Sequence, residues 1–225
     1  NDGKGLLQAL ADSAVHIVTD HFPSYFLSRM ITAAAPKLSA RLDEVDSNGL
    51  CPLAFAPRTF QTAYSFRRFL QQNMATFIHE VPLDEPLTHH HFTQRAIVAQ
   101  TVERKWPSVN LELTNEDLIP SGLKHQIGIV AERGGEETAL AKWNHFMKMA
   151  LGTYDIDRNQ PSKIATSRMS PLLHFGHISS HKLVGDLLRQ ADWTLEQASP
   201  VCKGSRAGWR NLSPAVEGFL DQIMT

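Results

Sequence analysis

The sequence predicts an α/β fold, a partial doubly wound layer, followed by an incomplete all-α domain. Helix and strand patterns alternate over residues 5–46, which is typical of a parallel α/β layer. Prolines then interrupt the pattern, and helical periodicity dominates toward the C-terminus. We therefore divide the chain into part of an α/β domain (1–80), an interdomain connector (81–135) and part of a helical domain (136–225).

The composition is that of an ordinary globular protein. Of 225 residues, 42% are hydrophobic and 20% are charged, which argues against disorder over most of the chain. No apolar run approaches the roughly 18–20 residues that a membrane helix needs. Cys51 and Cys202 lie far apart without Cys-x-x-Cys spacing, so neither a disulfide framework nor a zinc site is indicated. We expect a soluble protein of a reducing, cytoplasmic compartment.

The N-terminal elements follow one another as helix, strand, helix and strand. In order, they are Leu6–Ala11, the strand VHIVTD (15–20), the helix 24–38 and the strand RLDEVD (41–46). This order is half of a doubly wound, Rossmann-like layer. Asp20 and Asp46 end the strands at the edge where open α/β sheets bind ligands. No glycine-rich phosphate loop follows either strand, so we favour loop capping over ligand binding for both carboxylates.

A further helix is predicted over 62–77. Its core side consists of Phe66, Phe69, Leu70 and Phe77. In the connector, the most convincing helical pattern covers 92–104.

Histidines at 89–91, after His79, raise the question of a metal site. Adjacent histidines do not share one face of a helix or strand, and no carboxylate is suitably spaced. We therefore expect a solvent-exposed loop and no metal.

The helical domain opens with an amphipathic helix after Gly135. Leu140, Trp143, Met147 and Ala150 recur at helical spacing and predict its core stripe. Trp143, Trp193 and Trp209 suggest either an electron relay or ordinary packing. We favour packing, because isolated tryptophans in helical domains usually fill the core.

The segment 154–179 contains the most unusual motif. The hydroxyls of Thr166, Ser167 and Ser170 precede Pro171, which suits a first helical turn, and Gly176 suits its end. Capping accounts for one hydroxyl. Three hydroxyls together with Arg168 at one helix start are also typical of a binding site for a phosphate or diphosphate. From the residues alone, both interpretations remain open.

The net charge of −1 hides a basic surplus in the C-terminal third. Its basic residues are Arg158, Lys163, Arg168, Lys182, Arg189, Lys203, Arg206 and Arg210. They suggest either a face that attracts nucleic-acid phosphates or an ordinary solvated surface.

The run GGEETALAKW, followed by TYDIDRNQP and ATSRMSPLLHFGHIS, resembles the start of the helical domain in the photolyase and cryptochrome family. In that family a Tyr precedes a Thr-Ser-Arg-Leu-Ser segment by about a dozen residues. Met169 stands here where Leu is usual. Upstream, VHIVTD, LDEVDSNGLCPL and AYSFRRFL are similar to the second half of the family's α/β domain, most like class II cyclobutane pyrimidine dimer photolyases. The resemblance covers nearly the whole chain and is strongest over 134–179.

This resemblance implies an FAD-binding helical domain and a light-dependent repair reaction. Reduced, light-excited FAD would donate an electron to a cyclobutane dimer flipped out of DNA, the dimer would split, and the electron would return to the flavin. The residues implied to bind the cofactor are Tyr154, Thr166, Ser167, Arg168, Met169 and Ser170. Tyr154 would pack on the flavin, and the other five would hold the diphosphate. An antenna chromophore is not identified, and no membrane or metal is implied.

Several family features are missing from the sequence. The first strands of the α/β domain are absent, as are the Trp-Arg-Glu segment and the later helices that complete the flavin and dimer pockets. We therefore expect a chain truncated at both ends, with no catalytic residue to assign and with apolar surface exposed around Leu173, Phe175, Leu183 and Leu187. Two alternatives stay open: a cryptochrome-like flavin photoreceptor without repair activity, and an inactive fragment that acts only as a structural module.

Overall fold

The computed structural model describes residues 3–79, 82–83, 85–88, 97–108, 128 and 130–224. It divides into two compact units. The first unit comprises Asn1–Ser47 and Glu85–Glu132, and the second comprises Asn48–Asp84 and Arg133–Thr225. This division differs from the predicted domain boundaries, because the segment after the second strand clusters with the C-terminal helices.

The described residues form two strands and a series of helices. The strands are β1 (His16–Asp20) and β2 (Arg41–Val45). The helices are α1 (Leu6–Ala11), α2 (Leu27–Ala34), α3 (Ala63–Phe77), α4 (Gln100–Lys105), α5 (Glu136–Met149), α6 (Tyr154–Asp157), α7 (Ser170–His174), α8 (Ser180–Gln190) and α9 (Pro214–Met224). Short 3₁₀ turns occupy Ala35–Lys37, Leu53–Phe55, Leu151–Thr153 and Leu195–Gln197.

The first unit contains the predicted strand–helix–strand motif. β1 pairs with β2 in parallel, in a register that joins His16 to Arg41 and Asp20 to Val45. A parallel pair needs a crossover, which α2 supplies. Helix α2 gives way to a 3₁₀ turn at its C-terminal end because Pro36 cannot continue an α-helical ladder. Ser47 Oγ donates to Asp20 Oδ1 at 3.2 Å, so the Asp20 carboxylate contacts the segment that follows β2.

Helix α3 begins as the sequence predicts. The Thr62 hydroxyl accepts a hydrogen bond from the Ser65 backbone N–H at 3.2 Å, which caps the helix. Leu70 and Phe77 are buried, together with Met74 and Trp209 in one apolar cluster. Phe66 and Phe69 are half-buried against that cluster.

The larger core of the second unit lies among α5, α8 and α9. Its buried members are Leu50, Ala139, Trp143, Phe146, Leu151, Tyr154, Met169, Leu172, Ile178, Leu183, Val184, Leu187, Ala215, Phe219 and Leu220. Trp143 is completely buried, and its indole N–H donates to Asp186 Oδ2 at 3.0 Å. Each buried aromatic ring of this size removes a large apolar area from water, so Trp143 is a packing residue.

The expectation of exposed apolar surface is wrong for two of its four residues. Leu183 and Leu187 are buried because α8 packs against α9 and α5, which supply the neighbours that the sequence did not reveal. Leu173 is half-buried, and Phe175 is 71% exposed.

The connector contains α4, which is shorter than the predicted helix over 92–104, although residues 92–96 lie outside the described residues. The histidines at 89–91 also lie outside them. In the part of the chain that the structure describes, no group of three or more His, Cys, Asp or Glu is placed to hold a metal ion. Among the same residues, no helix has the length and apolar character that crossing a membrane requires.

Candidate functional site

The candidate site is the turn that leads into α7. Ser170 and Pro171 form the first two positions of α7, where proline's missing N–H costs nothing. At the other end, Gly176 has φ 69° and donates to the Leu173 carbonyl, while the His177 N–H reaches the Leu172 carbonyl at 2.8 Å. This pair of bonds is a Schellman motif, and it ends α7 at the glycine that the sequence indicates.

The turn 165–170 alternates buried and outward residues. Ala165 and Met169 are buried, and Met169 is only 1% exposed. Thr166, Arg168 and Ser170 are exposed, while Ser167 is half-buried. Two apolar side chains therefore fix the turn to the core, and three polar ones face solvent.

Arg168 has an uncommon backbone conformation. Its φ is 54°, in the left-handed region that a residue with a Cβ enters at a cost of about 1–2 kcal/mol. The Ser167 hydroxyl accepts from the Met169 backbone N–H at 3.4 Å, which supports the turn locally. Among the described residues, Arg168 forms no ion pair. Its guanidinium is therefore open to an anionic ligand.

Tyr154 lies in the core and not on an open surface. Its ring is 7% exposed and makes edge-on contacts with Phe146 at 5.8 Å and Phe219 at 5.3 Å between ring centroids. The Arg158 guanidinium lies over the ring, 5.6 Å from its centroid. The Arg158 Nε atom is buried and has no hydrogen-bond partner in the described part of the chain. A buried donor without a partner is costly, so this atom marks a place where an acceptor would stabilise the protein.

Most of the basic residues of the C-terminal third are already engaged. Lys163 pairs with Asp157 at 2.5 Å. Hydrogen bonds from Lys163 and, to a smaller extent, from Thr153 lower the pKa of Asp157. Lys182 and Arg189 both pair with Asp186, at 2.8 and 2.6 Å.

Two more of these basic residues are also unavailable to a phosphate. Arg206 lies 3.4 Å from Asp221, and Arg210 is buried. Of the eight residues that suggested this face, only Arg168 and Lys203 are exposed without a carboxylate partner among the described residues. The basic surplus of the sequence is therefore mostly neutralised within the fold.

Sequence reasoning missed a buried network of charges that links α3 to α9. Arg67 Nε donates to Asp221 Oδ1 at 2.5 Å, and both side chains are buried. Arg67 Nη1 also donates to the Gly204 carbonyl at 2.9 Å, and Gln71 accepts from the Gly204 N–H at 2.7 Å. These bonds fasten the loop before Trp209 onto α3.

Glu217 holds the same loop from the side of α9. Its carboxylate is 1% exposed and accepts from the backbone N–H groups of Gly208, Arg210 (2.9 Å) and Leu212 (3.4 Å). Burial lowers the pKa of Arg210, and the charges of Glu217 and Asp221 oppose that shift. Glu217 and Asp221 are four residues apart in α9 and therefore share one face of the helix, but a charged stripe usually faces solvent, so the sequence does not indicate that these carboxylates are buried.

The chain is similar in sequence to a known enzyme. No family model matches the chain. The chain is 28% identical over 175 residues to a deoxyribodipyrimidine photo-lyase of Methanothermobacter thermautotrophicus. It is similar to a photolyase. The alignment covers 77% of this chain and 36% of the archaeal enzyme, so the chain spans little more than a third of that relative.

The residues present fit one part of an FAD molecule. A diphosphate needs hydrogen-bond donors and positive charge without competing carboxylates, and Thr166, Arg168 and Ser170 offer these on one turn. Met169 is turned into the core, so its side chain fixes the turn and leaves ligand contact to its neighbours. The ring of Tyr154 is covered by Phe219 and Arg158, so the fit at the flavin ring requires a shift of those side chains.

Proposed function

We propose that this chain is part of a light-dependent DNA photolyase of the class II type, which binds FAD and splits cyclobutane pyrimidine dimers by photoinduced electron transfer. The similarity to a deoxyribodipyrimidine photo-lyase supports the family. The turn at 165–170 is the observation that supports FAD as the cofactor. Its Arg168 is exposed, has a left-handed backbone conformation and pairs with no carboxylate among the described residues.

Each residue of the turn has a separate part in this proposal. Arg168 neutralises the diphosphate and donates charge-assisted hydrogen bonds to it. The hydroxyls of Thr166, Ser167 and Ser170 donate further bonds. Met169 anchors the turn through its buried side chain. The strain stored at Arg168 holds the guanidinium where the ligand needs it, which is how binding sites commonly use unusual backbone angles.

Tyr154 and Arg158 form the second part of the site. The buried Arg158 Nε lacks an acceptor among the described residues, and a bound anionic or carbonyl oxygen satisfies it. Tyr154 shapes the apolar wall against which a flavin ring packs. Bound flavin, when reduced and excited by light, would supply the electron that opens the dimer and would take it back afterwards; the residues of this chain would supply binding, orientation and exclusion of water.

The proposal extends to DNA as partner and to a cytoplasmic location. We assign no catalytic residue and no antenna chromophore, because the matched part of the relative is a little more than a third of its length.

The test is a titration of the purified 225-residue chain with FAD, followed by flavin fluorescence. We expect saturable binding, and Arg168→Ala should weaken it by roughly 10- to 100-fold because a charge-assisted contact is lost. Lys203→Ala is the matched control, since Lys203, like Arg168, is exposed and has no carboxylate partner among the described residues. Riboflavin, which lacks the diphosphate, should bind more weakly than FAD and should not respond to Arg168→Ala.

One observation favours a second candidate, an inactive fragment that acts as a structural module. The Tyr154 ring is closed off by Phe146, Phe219 and Arg158, as in a core that has no flavin to accommodate. A folded chain that binds neither FAD nor riboflavin would favour this module over a flavoprotein.

A further inference from the structure

The second unit contains a surface that is not part of the proposed FAD site at 165–170. Two adjoining grooves lie where the chain enters α3, with volumes of about 530 and 410 Å³. They share Arg58 and Phe60. Volumes of this size are those of ordinary ligand sites, and together the two grooves form one extended surface.

The floor of these grooves is aromatic. Phe60 packs on Phe66 at 5.4 Å and on Phe69 at 5.0 Å between ring centroids. Phe66 and Phe69 are themselves stacked at 6.4 Å. Tyr64 lines the second groove and is 57% exposed. The rings are therefore packed against one another at the base of the grooves, and Tyr64 is exposed at the rim.

Two arginines border this floor. The Arg58 guanidinium lies over the Phe60 ring, 5.4 Å from its centroid, and Arg68 lines the second groove. Both side chains are exposed, and neither forms an ion pair with any residue that the structure describes. The residues lining the two grooves include no Asp or Glu. Positive charge here is thus available to an anion, unlike most of the positive charge in the C-terminal third.

Polar groups complete the lining. Thr59 and Gln61 border the first groove and Gln72 the second, while Thr62 and Ala63 bring the N-terminal end of α3 to the first. The unpaired N–H groups and positive dipole end of a helix add to the attraction for anions. Hydroxyl and amide groups of this kind contact phosphate oxygens and sugars without selecting a base sequence.

We propose that this aromatic–arginine groove binds single-stranded nucleic acid. Unpaired bases stack on exposed aromatic side chains because every base has a π-face, and arginines beside them hold the backbone phosphates. A base within a duplex cannot offer its face in this way. An extended double groove with separate cations suits a strand with successive phosphates, whereas one free nucleotide would leave half of it unused.

The two grooves share no residue with the proposed FAD site at 165–170. Either proposal can therefore be refuted without affecting the other. Nothing in the stacking argument uses Tyr154 or the residues 166–170. An FAD titration of Arg58→Ala should therefore give the same affinity as the unchanged chain.

The experiment measures the fluorescence anisotropy of a fluorescein-labelled dT12 oligonucleotide as the 225-residue chain is added. Titrations at about 50 to 200 mM salt should show affinity falling linearly on a log–log plot. Arg58→Ala should weaken binding and make the slope shallower by about 0.7, the value for one phosphate contact to a single strand. Tyr64→Ala should weaken binding roughly tenfold with the slope unchanged, because stacking releases no counterion.

The controls use residues outside both grooves. Arg133→Ala removes another exposed arginine of the same unit and should leave the affinity for dT12 unchanged. Competition with unlabelled AMP separates a strand from a free nucleotide.

Three results would overturn the proposal. They are an anisotropy that does not change at low salt, an equal loss of affinity in Arg58→Ala and Arg133→Ala, and displacement of dT12 by AMP at concentrations comparable to those of unlabelled dT12. A circular-dichroism spectrum of each variant identical to that of the unchanged chain shows that the loss does not come from unfolding.

Discussion

Replacing Glu217 by Gln should cost at least about 1–3 kcal/mol of stability in the second unit, the penalty for leaving a buried backbone donor without its acceptor. The Glu217 carboxylate is 1% exposed and accepts three backbone N–H bonds. Gln is nearly the same size, so the substitution leaves no cavity. It does place an amide NH₂ or a neutral oxygen where Gly208 and Arg210 both present donors.

The magnitude follows from two losses. An amide has one acceptor oxygen, so at least one buried N–H is left without its acceptor, at about 1–3 kcal/mol. Arg210 also loses one of its two nearby negative charges and shares Asp221 with Arg67. The total is a large fraction of the 5–15 kcal/mol that stabilises a typical domain.

The assay is urea denaturation followed by tryptophan fluorescence in a Trp106→Phe background. Trp143, Trp193 and Trp209 then report on the second unit alone. Glu196→Gln is the control, because Glu196 is exposed and such substitutions change stability by about 0.5 kcal/mol or less. If Glu217→Gln unfolds within 0.5 kcal/mol of the unchanged chain, the buried network does not hold the loop, and the reasoning is refuted.

Two further stability predictions follow from the same unit. Gly204 has φ 78°, and a Cβ there would lie 2.6 Å from the Tyr64 carbonyl oxygen, whereas a Cβ at Gly208, with a similar φ of 81°, would meet nothing within 4 Å. Gly204→Ala should therefore cost about 1–3 kcal/mol more stability than Gly208→Ala. Equal urea midpoints for the two variants would contradict this. Burial lowers the pKa of His181 below 6.5, so the unfolded chain binds that proton more readily, and stability should fall as the pH drops below about 6.5. His181→Gln should lose less stability than the unchanged chain between about pH 7.5 and 5.5, and parallel losses would exclude His181 as a contributor.

Local signals predicted local structure well. The strands ending at Asp20 and near Asp46, the capped start of α3 at Thr62 and the glycine stop at Gly176 all appear where the sequence indicates. Each depends on residues within a few positions of one another, through periodicity, capping or a left-handed glycine. For the same reason the sequence around Arg168 by itself indicates a candidate site.

Tertiary pairing was not predictable in the same way. Arg67 and Asp221 are separated by 154 positions, and nothing near either residue indicates the other. Arg210 reads as a surface cation in the sequence but is buried beside Glu217. Charge counts along the chain show a basic surplus in the C-terminal third, but they do not show which cations are paired; among the described residues, the exposed arginines without an ion pair include Arg58, Arg68 and Arg168.

The most direct test of the central claim is the amide ¹H–¹⁵N spectrum of the chain during a titration with FAD. We predict that the amide signals of Thr166, Ser167, Arg168 and Met169 shift together and saturate at the affinity measured by flavin fluorescence. Shifts confined to other residues, such as those around Arg58 and Tyr64, or no shifts in a folded chain, would contradict the assignment of this turn to the FAD diphosphate.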